Sequence, residues 1–329
     1  MKTDVVIVGT GNIAFKHASI VRKLYPKKSI SLYNYRKKVF SKKDISDHKI
    51  SNIFNSILDE NDEVIPNNIG SFAIIASPAS HHIKHSSMFA KKKFHILLEK
   101  PLTSEKILLN SLVNDLKKNN LISHVAYNMQ FLSCMIMLKK IVMEKLYGNP
   151  LHCNITALTN FMEWRLNKNF KKTVTASRSL GGGVVNELSH EIDYMKYLFG
   201  YPISYEFSCN KSNKSKLDIE DSCNSRFLYK NMKVNVSLDI LSSIDKRTCC
   251  IQFEHAFVLL NIQKNIIQVF KDNKIHKTYN FDKNMQDTYI DQIKHFVKRI
   301  KNNIRDEHEI INYIPLTKIL LSMGQTSND

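Results

Sequence analysis

Residues 4–14 read DVVIVGTGNIA: a short apolar run from Asp4 to Val8, then Gly9-Thr10-Gly11-Asn12-Ile13-Ala14, then a helical pattern that reaches Leu24. A G-x-G-x-x-A series between a strand and a helix can be read residue by residue. The first glycine permits a tight turn, the second lets main-chain amides approach a pyrophosphate, and the alanine lets the helix pack closely on the strand. The anion then rests at the helix N-terminus, where unpaired N–H groups and the helix dipole favour negative charge. Gly9, Thr10, Gly11, Asn12, Ile13 and Ala14 are therefore candidate cofactor-binding residues. The chain is expected to open with a parallel sheet flanked by helices.

The following segments extend that sheet. Ser29 to Tyr33 forms the second strand, and a site for NAD would end it with an acid gripping the adenosine ribose. The first acid after the glycine series is Asp44, and the strand runs instead into Asn34-Tyr35-Arg36-Lys37-Lys38. Arg36 can pair with a 2′-phosphate or stack on adenine; the plainer alternative is a solvated turn. The missing acid favours NADP(H) over NAD(H). Residues 42–70 are polar and uneven, with a short helix expected near Ile50 to Leu58. Phe72 to Ala76 (FAIIA) is a third buried run, closed by the helix-start chemistry of Ser77-Pro78-Ala79-Ser80. The next helix carries His81, His82 and His85. No cysteine or carboxylate cluster accompanies them, so no metal site is expected. His82 reads as packing against cofactor or loop, and His85 as lying on a solvated helix face. Phe94 to Leu98 (FHILL) is a fourth strand ending at Glu99-Lys100-Pro101. Ligands of open parallel sheets bind at the carboxyl ends of the strands. Ser77, Pro78, His82, Glu99 and Lys100 thus join the cofactor candidates, with Lys100 at the cofactor's reactive end. A helix from Ser104 to Asn119 and a strand from Ile122 to Ala126 lead to Tyr127-Asn128.

A second informative stretch is GGGVVNELSHEID at 181–193. Residues three apart on a helix share a face, so His190 and Asp193 can serve one point, and a carboxylate beside an imidazole is how a general base is oriented and tuned. Three glycines let backbone approach something closely, either a flat cofactor ring or a neighbouring strand. The competing reading makes them a loop followed by a surface pair.

Composition sets limits. A chain of 329 residues suits about two domains. No apolar run approaches the roughly 18 residues of a membrane span, and a strand pattern that begins almost at Met1 leaves no room for an export signal. A soluble, cytoplasmic protein is expected. The six cysteines lack C-x-x-C spacing and read as reduced, mostly buried thiols. The net charge of +18 (48 basic minus 30 acidic residues) is spread along the chain. That argues against a nucleic-acid footprint, which needs clustered charge, and suits an anionic small substrate or a phosphate-bearing cofactor.

GTGNIA (9–14), ASPASHH (76–82), EKP (99–101), GGG…HEID (181–193) and DIEDS (218–222) resemble, in order and spacing, the Gfo/Idh/MocA oxidoreductases, named for glucose-fructose oxidoreductase and inositol dehydrogenase. The resemblance implies a Rossmann domain over 1–126 and an α+β domain over 127–329 built on a large, mostly antiparallel sheet, with the last helix able to pack back on the first domain. Strand-like alternation over 151–160, 203–209, 223–240 and 247–270 agrees, as does a single long helix over 131–147 before the glycines. Helices are expected at Met285 to Lys301, with a stripe of Tyr289, Ile293, Phe296 and Ile300, and again from Pro315.

By the same resemblance Lys100 touches nicotinamide and the substrate hydroxyl, His190 transfers a proton, and Asp193 orients His190 or holds the substrate. The implied substrate is a sugar, sugar nucleotide or cyclitol, and the implied assembly a homo-oligomer, dimer or tetramer. Tyr127, Asn128, Asn186, Glu187 and His190 join Lys100 as substrate-contact candidates. The chain departs from the family in two places. Asn186, with Glu187 beside it, stands where many members carry an aspartate four residues before the histidine, and Gln130 stands where an arginine is common. Residues 161–200 resemble a bacterial subgroup of surface-sugar and sialic-acid-like biosynthesis. Within them Trp164 and Arg165 can form a sugar-stacking wall and an anion clamp, or anchor a loop through a buried indole. Two functions follow from these readings: an NADP(H)-dependent sugar oxidoreductase, or a cofactor-binding regulator or scaffold without catalysis.

Overall fold

The computed structural model describes residues 1–34, 48–105, 109–165, 173–212 and 217–324. Its contacts divide the chain into two compact units, Met1–Ala126 with Tyr289–Thr317, and Tyr127–Thr288 with Lys318–Asp329.

The first unit is built on strands β1 (Lys2–Thr3), β2 (Val5–Val8), β3 (Ile30–Tyr33), β4 (Ser56–Leu58), β5 (Ile65–Pro66), β6 (Phe72–Ile75), β7 (His95–Leu98) and β8 (Ser123–Val125). Six of them form one parallel sheet in the order β4-β3-β2-β6-β7-β8, while β1 and β5 pair separately. Every residue of β2, β3, β6 and β7 is buried. These runs of Val, Ile, Leu and Phe therefore lack a polar alternation, as expected of a sheet covered on both faces. The crossover helices are α1 (Asn12–Leu24), α2 (His48–Ser51), α3 (His82–Lys91) and α4 (Asn110–Lys118). Ala14, Ala18 and Val21 of α1 are buried one turn apart, and the two alanines bring the helix axis close to the sheet. Strand order reverses at β2, which has β3 on one side and β6 on the other. That switch point is where open α/β sheets hold their ligands.

The second unit carries α5 (Ser133–Met143), α6 (Val184–Glu187) and α7 (Ser189–Phe199) together with strands β9 (Pro150–Asn160), β10 (Ser204–Asn210), β11 (Ser222–Leu228), β12 (Lys233–Asp239), β13 (Leu241–Phe253), β14 (Phe257–Asn261), β15 (Ile266–Lys271) and β16 (Lys274–Asn280). The eight strands form one sheet, β10-β11-β12-β9-β13-β14-β15-β16. It is antiparallel except where β12 runs parallel to β9. Cys153, Ile155, Ala157, Val234, Val236, Leu238, Cys249 and Ile251 alternate onto its buried face, the period-two pattern of a sheet covered on one side. The α7 helix packs on β9 and on α5. Two more helices complete the chain, α8 (Met285–Asn302) and α9 (Ile314–Met323).

Several expectations need correction. Residues 289–317, assigned by resemblance to the second domain, count with the first unit: Ile293, Phe296 and Val297 of α8 join Val5, Ile7 and Phe72 in one core. Polarity over 50–58 suggests a helix, but Ser56–Leu58 pairs with β3, because burying Ile57 and Leu58 against a neighbouring strand outweighs local propensity. Residues 274–280 form an edge strand that alternation misses, since nearly every side chain on it is exposed. The cysteines are not all reduced. Cys209 and Cys223 lie directly opposite one another on β10 and β11 and form a disulfide, while Cys134, Cys153, Cys249 and Cys250 are free thiols. Among the described residues no helix is long and apolar enough to cross a membrane.

Candidate active site

The glycine series lies at the switch point of the first unit. Gly9 ends β2 with φ +126°, and a β-carbon on it would sit 2.5 Å from the Ala76 carbonyl oxygen at the end of β6, so only glycine closes this turn. Gly11 caps α1 without any side-chain partner for the helix N–H groups, and the first turn holds no acid. A β-carbon on Gly11 would meet nothing within 4 Å. Thr10, Asn12 and Ile13 are partly or fully exposed, whereas Ala14 is buried against the sheet. An accessible, acid-free helix start with open space over its cap fits a pyrophosphate. Arg36 lies outside the described residues.

The loops after β6 and β7 are tied to each other. His82 sits between two carbonyl oxygens, Nε2 2.8 Å from Ser77 and Nδ1 2.8 Å from Pro101, and its pKa is lowered because burial outweighs the pull of those carbonyls. His82 thus ties the loop after β6 to the loop after β7. Pro78 beside it is half-buried. His85, expected on a solvated helix face, is buried instead: its Nδ1 lies 2.9 Å from Ser77 Oγ, and burial pushes its pKa down to about 3. The residue spacing of α3 turns it inward with His82. Glu99 and Lys100 follow β7, with Glu99 buried and Lys100 partly exposed.

The second unit holds the imidazole. A break at Leu188 (φ −100°, ψ 27°) separates α6 from α7, so Asn186 and Glu187 belong to a different helix from His190, and the one-helix spacing rule does not relate them. All three are partly exposed. Two of the glycines before them, Gly182 and Gly183, pack closely on protein. A β-carbon on Gly182 would lie 2.2 Å from the Thr175 carbonyl oxygen, and one on Gly183 (φ +114°) 2.3 Å from Glu220 Oε1. Glu220 belongs to the DIEDS stretch, its Oε2 accepts from Arg178 Nη2 at 3.3 Å, and its carbonyl accepts from Val184 N–H at 3.0 Å. These contacts fix where α6 starts.

His190 is seated by Tyr127, whose ring meets it edge-on with centroids 5.6 Å apart. Tyr127 is buried, and burial pushes its phenol pKa well up. Asn128 is buried too and donates to Thr288 Oγ1 at 2.6 Å. Asp193 has 0% of its surface exposed, and both carboxylate oxygens accept from Gln130 Nε2 at 2.9 Å. The carboxylate is thus enclosed in the second unit with Gln130 as its hydrogen-bond donor. Trp164 and Arg165 end a short turn, Phe161–Arg165, and their side chains lie outside the described residues.

Sequence reading misses the partners that hold this arrangement. Glu191, fully buried, receives Arg247 of β13 through Nε at 2.6 Å and Nη2 at 3.0 Å, a two-pronged pair that pins α7 to the large sheet. Nothing in a single glutamate on a helix announces an arginine more than fifty residues away. Gln130 shows only as a departure from the family, and its contact with Asp193 is a property of the fold. His295, Asp306 and His308 have ligand atoms within 4.8 Å of one another. The Asp306 oxygens are already used, by Arg299 at 3.0 Å and by His295 at 2.7 Å, so a cation there would displace a guanidinium.

Gln130 offers Asp193 a neutral amide where a cation would stabilise its charge. Burial wins, helped by the repulsion of Glu191, and the carboxyl pKa rises to about 7 against the smaller opposing effects of Gln130 and Lys196. The ionised form is thereby disfavoured by about 4 kcal/mol. Between the unfolded carboxyl's range and pH 7 the folded protein keeps a proton that the unfolded chain releases, so stability from this group is present in acid and lost as pH rises through about 7. Asp193→Asn is therefore expected to raise the melting temperature at about pH 8 and to change it little at about pH 4. An equal shift at both values in thermal unfolding contradicts the assignment.

Residues 3–127 match the sequence model of the GFO_IDH_MocA family, described as an oxidoreductase family with an NAD-binding Rossmann fold. Residues 3–127 belong to this family. The Rossmann unit is accordingly that of an NAD-binding oxidoreductase. The chain is 24% identical to "Oxidoreductase P35" of Formosa agariphila over 226 residues, covering 67% of this chain and 68% of that protein. It is 23% identical to the glucose-6-phosphate 3-dehydrogenase of Bacillus subtilis over 250 residues, 72% of this chain and 66% of the relative. Among solved structures, a levoglucosan dehydrogenase in complex with NADH and levoglucosan superposes with a TM-score of 0.80 at 16% identity, covering 98% of this chain and 96% of that one. That likeness extends the family's fold beyond the matched residues.

Proposed function

We propose that the protein is an NAD(P)-dependent dehydrogenase that moves a hydride between nicotinamide and a hydroxyl-bearing carbon of a sugar, sugar phosphate or nucleotide sugar. The observation that carries this reading is the pairing, on one parallel sheet, of the acid-free phosphate turn at Gly9–Ala14 with Lys100 at the carboxyl end of β7. The names of the relatives support a sugar substrate; the surface-sugar setting rests on the resemblance of residues 161–200 alone.

Bound nicotinamide supplies the hydride chemistry. The protein's part is to handle the alcohol proton and the charge on its oxygen. In this reading His190 accepts or returns that proton, since imidazole titrates near neutrality. The Lys100 ammonium stabilises negative charge on the reacting oxygen, and Tyr127 and Asp193 hold the His190 ring and its surroundings. Lys100, His190 and Asp193 are all present, which favours the enzyme, while Asn186 and Gln130 keep open one alternative, a cofactor-binding regulator of the same fold without catalysis.

The cofactor is expected to be NADP(H), because no acid follows β3 and Arg36 does. NADPH should bind more tightly than NADH, and Arg36→Ala should shrink the gap. Equal dissociation constants for the two cofactors in the unmodified protein, measured by fluorescence titration, contradict that preference. The function itself is tested by screening the NADP⁺-loaded protein against sugars, sugar phosphates and nucleotide sugars for formation of reduced cofactor. Turnover of one class supports it. Tight cofactor binding with no turnover across the panel supports the regulator.

A further inference from the structure

The proposed mechanism leaves unused a buried pair inside the first unit. His17, in the second turn of α1, has 0% of its surface exposed, and its Nε2 lies 2.6 Å from Oε1 of Glu99. The other oxygen, Oε2, accepts the Lys100 backbone N–H at 3.3 Å. His17 Nδ1 is buried and has no hydrogen-bond partner among the described residues. The tautomer that strands no N–H therefore carries its proton on Nε2 and donates it to Glu99.

The placement of this pair gives it meaning. The α1 helix begins at the phosphate turn and follows β2, whereas Glu99 and Lys100 follow β7, two strands across in the order β2-β6-β7. Two strand spacings are about 10 Å, the scale of the separation between a dinucleotide's pyrophosphate and its nicotinamide. α1 is locked by Ala14, Ala18 and Val21 in the core; the main chain after β7 is held by the Glu99 N–H on the Ile75 carbonyl at 2.9 Å and by His82 on the Pro101 carbonyl, and the Glu99 side chain is what links this loop to α1. A carboxylate as buried as Glu99 also requires a donor. Lys16 also acts on Glu99 through its charge, with its ammonium 3.9 Å from the Tyr289 ring centroid, but the short side-chain hydrogen bond to Glu99 is the one from His17.

We propose that His17 is a positioning residue that, through Glu99, fixes Lys100 at the nicotinamide end of the cofactor site relative to the helix that holds the pyrophosphate. This deepens the proposed function and rests on it. Lys100 is the residue that acts; His17 touches neither cofactor nor substrate and works through the carboxylate between them.

The test compares the full-length protein with His17→Phe, which keeps an aromatic ring of similar shape but no donor, and His17→Gln, which restores an N–H. Two probes are titrated: NADPH, and 2′-phospho-ADP-ribose, the same molecule without nicotinamide. The Phe variant is expected to weaken NADPH by about tenfold, the scale of a hydrogen bond to a charged group, while 2′-phospho-ADP-ribose changes by less than about twofold. Its bound NADPH should show the nicotinamide emission of Lys100→Met. The Gln variant should recover NADPH affinity to within about threefold of the parent. A general loosening of the domain weakens both probes together and overturns the proposal, as does an unchanged NADPH affinity in the Phe variant. Should His17→Phe fail to fold, His17→Asn, whose amide is too short to reach Glu99, replaces it with the same expectation. An unmodified protein that binds neither these probes nor NADH overturns the functional reading itself, and this inference with it.

Discussion

His190→Ala is expected to lower kcat by about 10²–10⁴, the usual scale for losing a general acid or base, while the dissociation constant for NADPH stays within about twofold. The reasoning is local to the second unit. His190 is the partly exposed member of a group whose other members, Tyr127 and Asp193, are enclosed, so the imidazole alone can meet a ligand. Removing it deletes the proton acceptor without disturbing the Rossmann unit. The control must be chosen with care. His85, which sequence alone suggests for that purpose, is buried on Ser77, and its loss would disturb the loop after β6. His276, exposed on the edge strand β16, is a suitable control and should leave turnover unchanged. Near-normal turnover of His190→Ala with saturating substrate and cofactor sinks the proton-transfer role.

Lys100→Ala is expected to lower kcat/KM by about 10²–10³, the cost of losing one donor to a developing oxyanion, and to raise KM for the sugar as well. A charge that acts on ground state and transition state alike damages both constants. Lys100→Arg keeps the charge on a bulkier, planar head that does not reproduce a point ammonium, so recovery should be partial. Steady-state kinetics separate these outcomes. A loss confined to KM, with kcat intact, leaves Lys100 as a binding residue and removes it from the chemistry.

The Rossmann unit is legible because its signals are local. Four buried apolar strands and G-x-G-x-x-A need no partner to be recognised, and the cofactor candidates around Gly9 and Lys100 lie at strand ends that any parallel sheet would present. What stays hidden is pairing across distance. β4 declares itself only against β3, and β16, nearly all exposed, carries no alternation to read. Cys209 and Cys223 become a bonded pair only when the β10–β11 register sets them opposite each other. The same holds in the candidate site. His190 and Asp193 are visible as H-x-x-D, but equal spacing does not mean equal exposure. The Gln130 contact that turns Asp193 inward, like the His17 contact that braces Glu99, belongs to residues far apart in the chain.

The central claim is that this chain transfers a hydride between nicotinamide and a sugar carbon, with His190 handling the proton. The most direct measurement follows reduced-nicotinamide absorbance when NADP⁺-loaded protein meets the panel of sugars, sugar phosphates and nucleotide sugars, with His190→Ala run in parallel. The account predicts steady formation of NADPH with one substrate class in the parent protein and its loss, by about 10²–10⁴, in the variant. Cofactor that binds tightly yet stays oxidised with every member of the panel contradicts it.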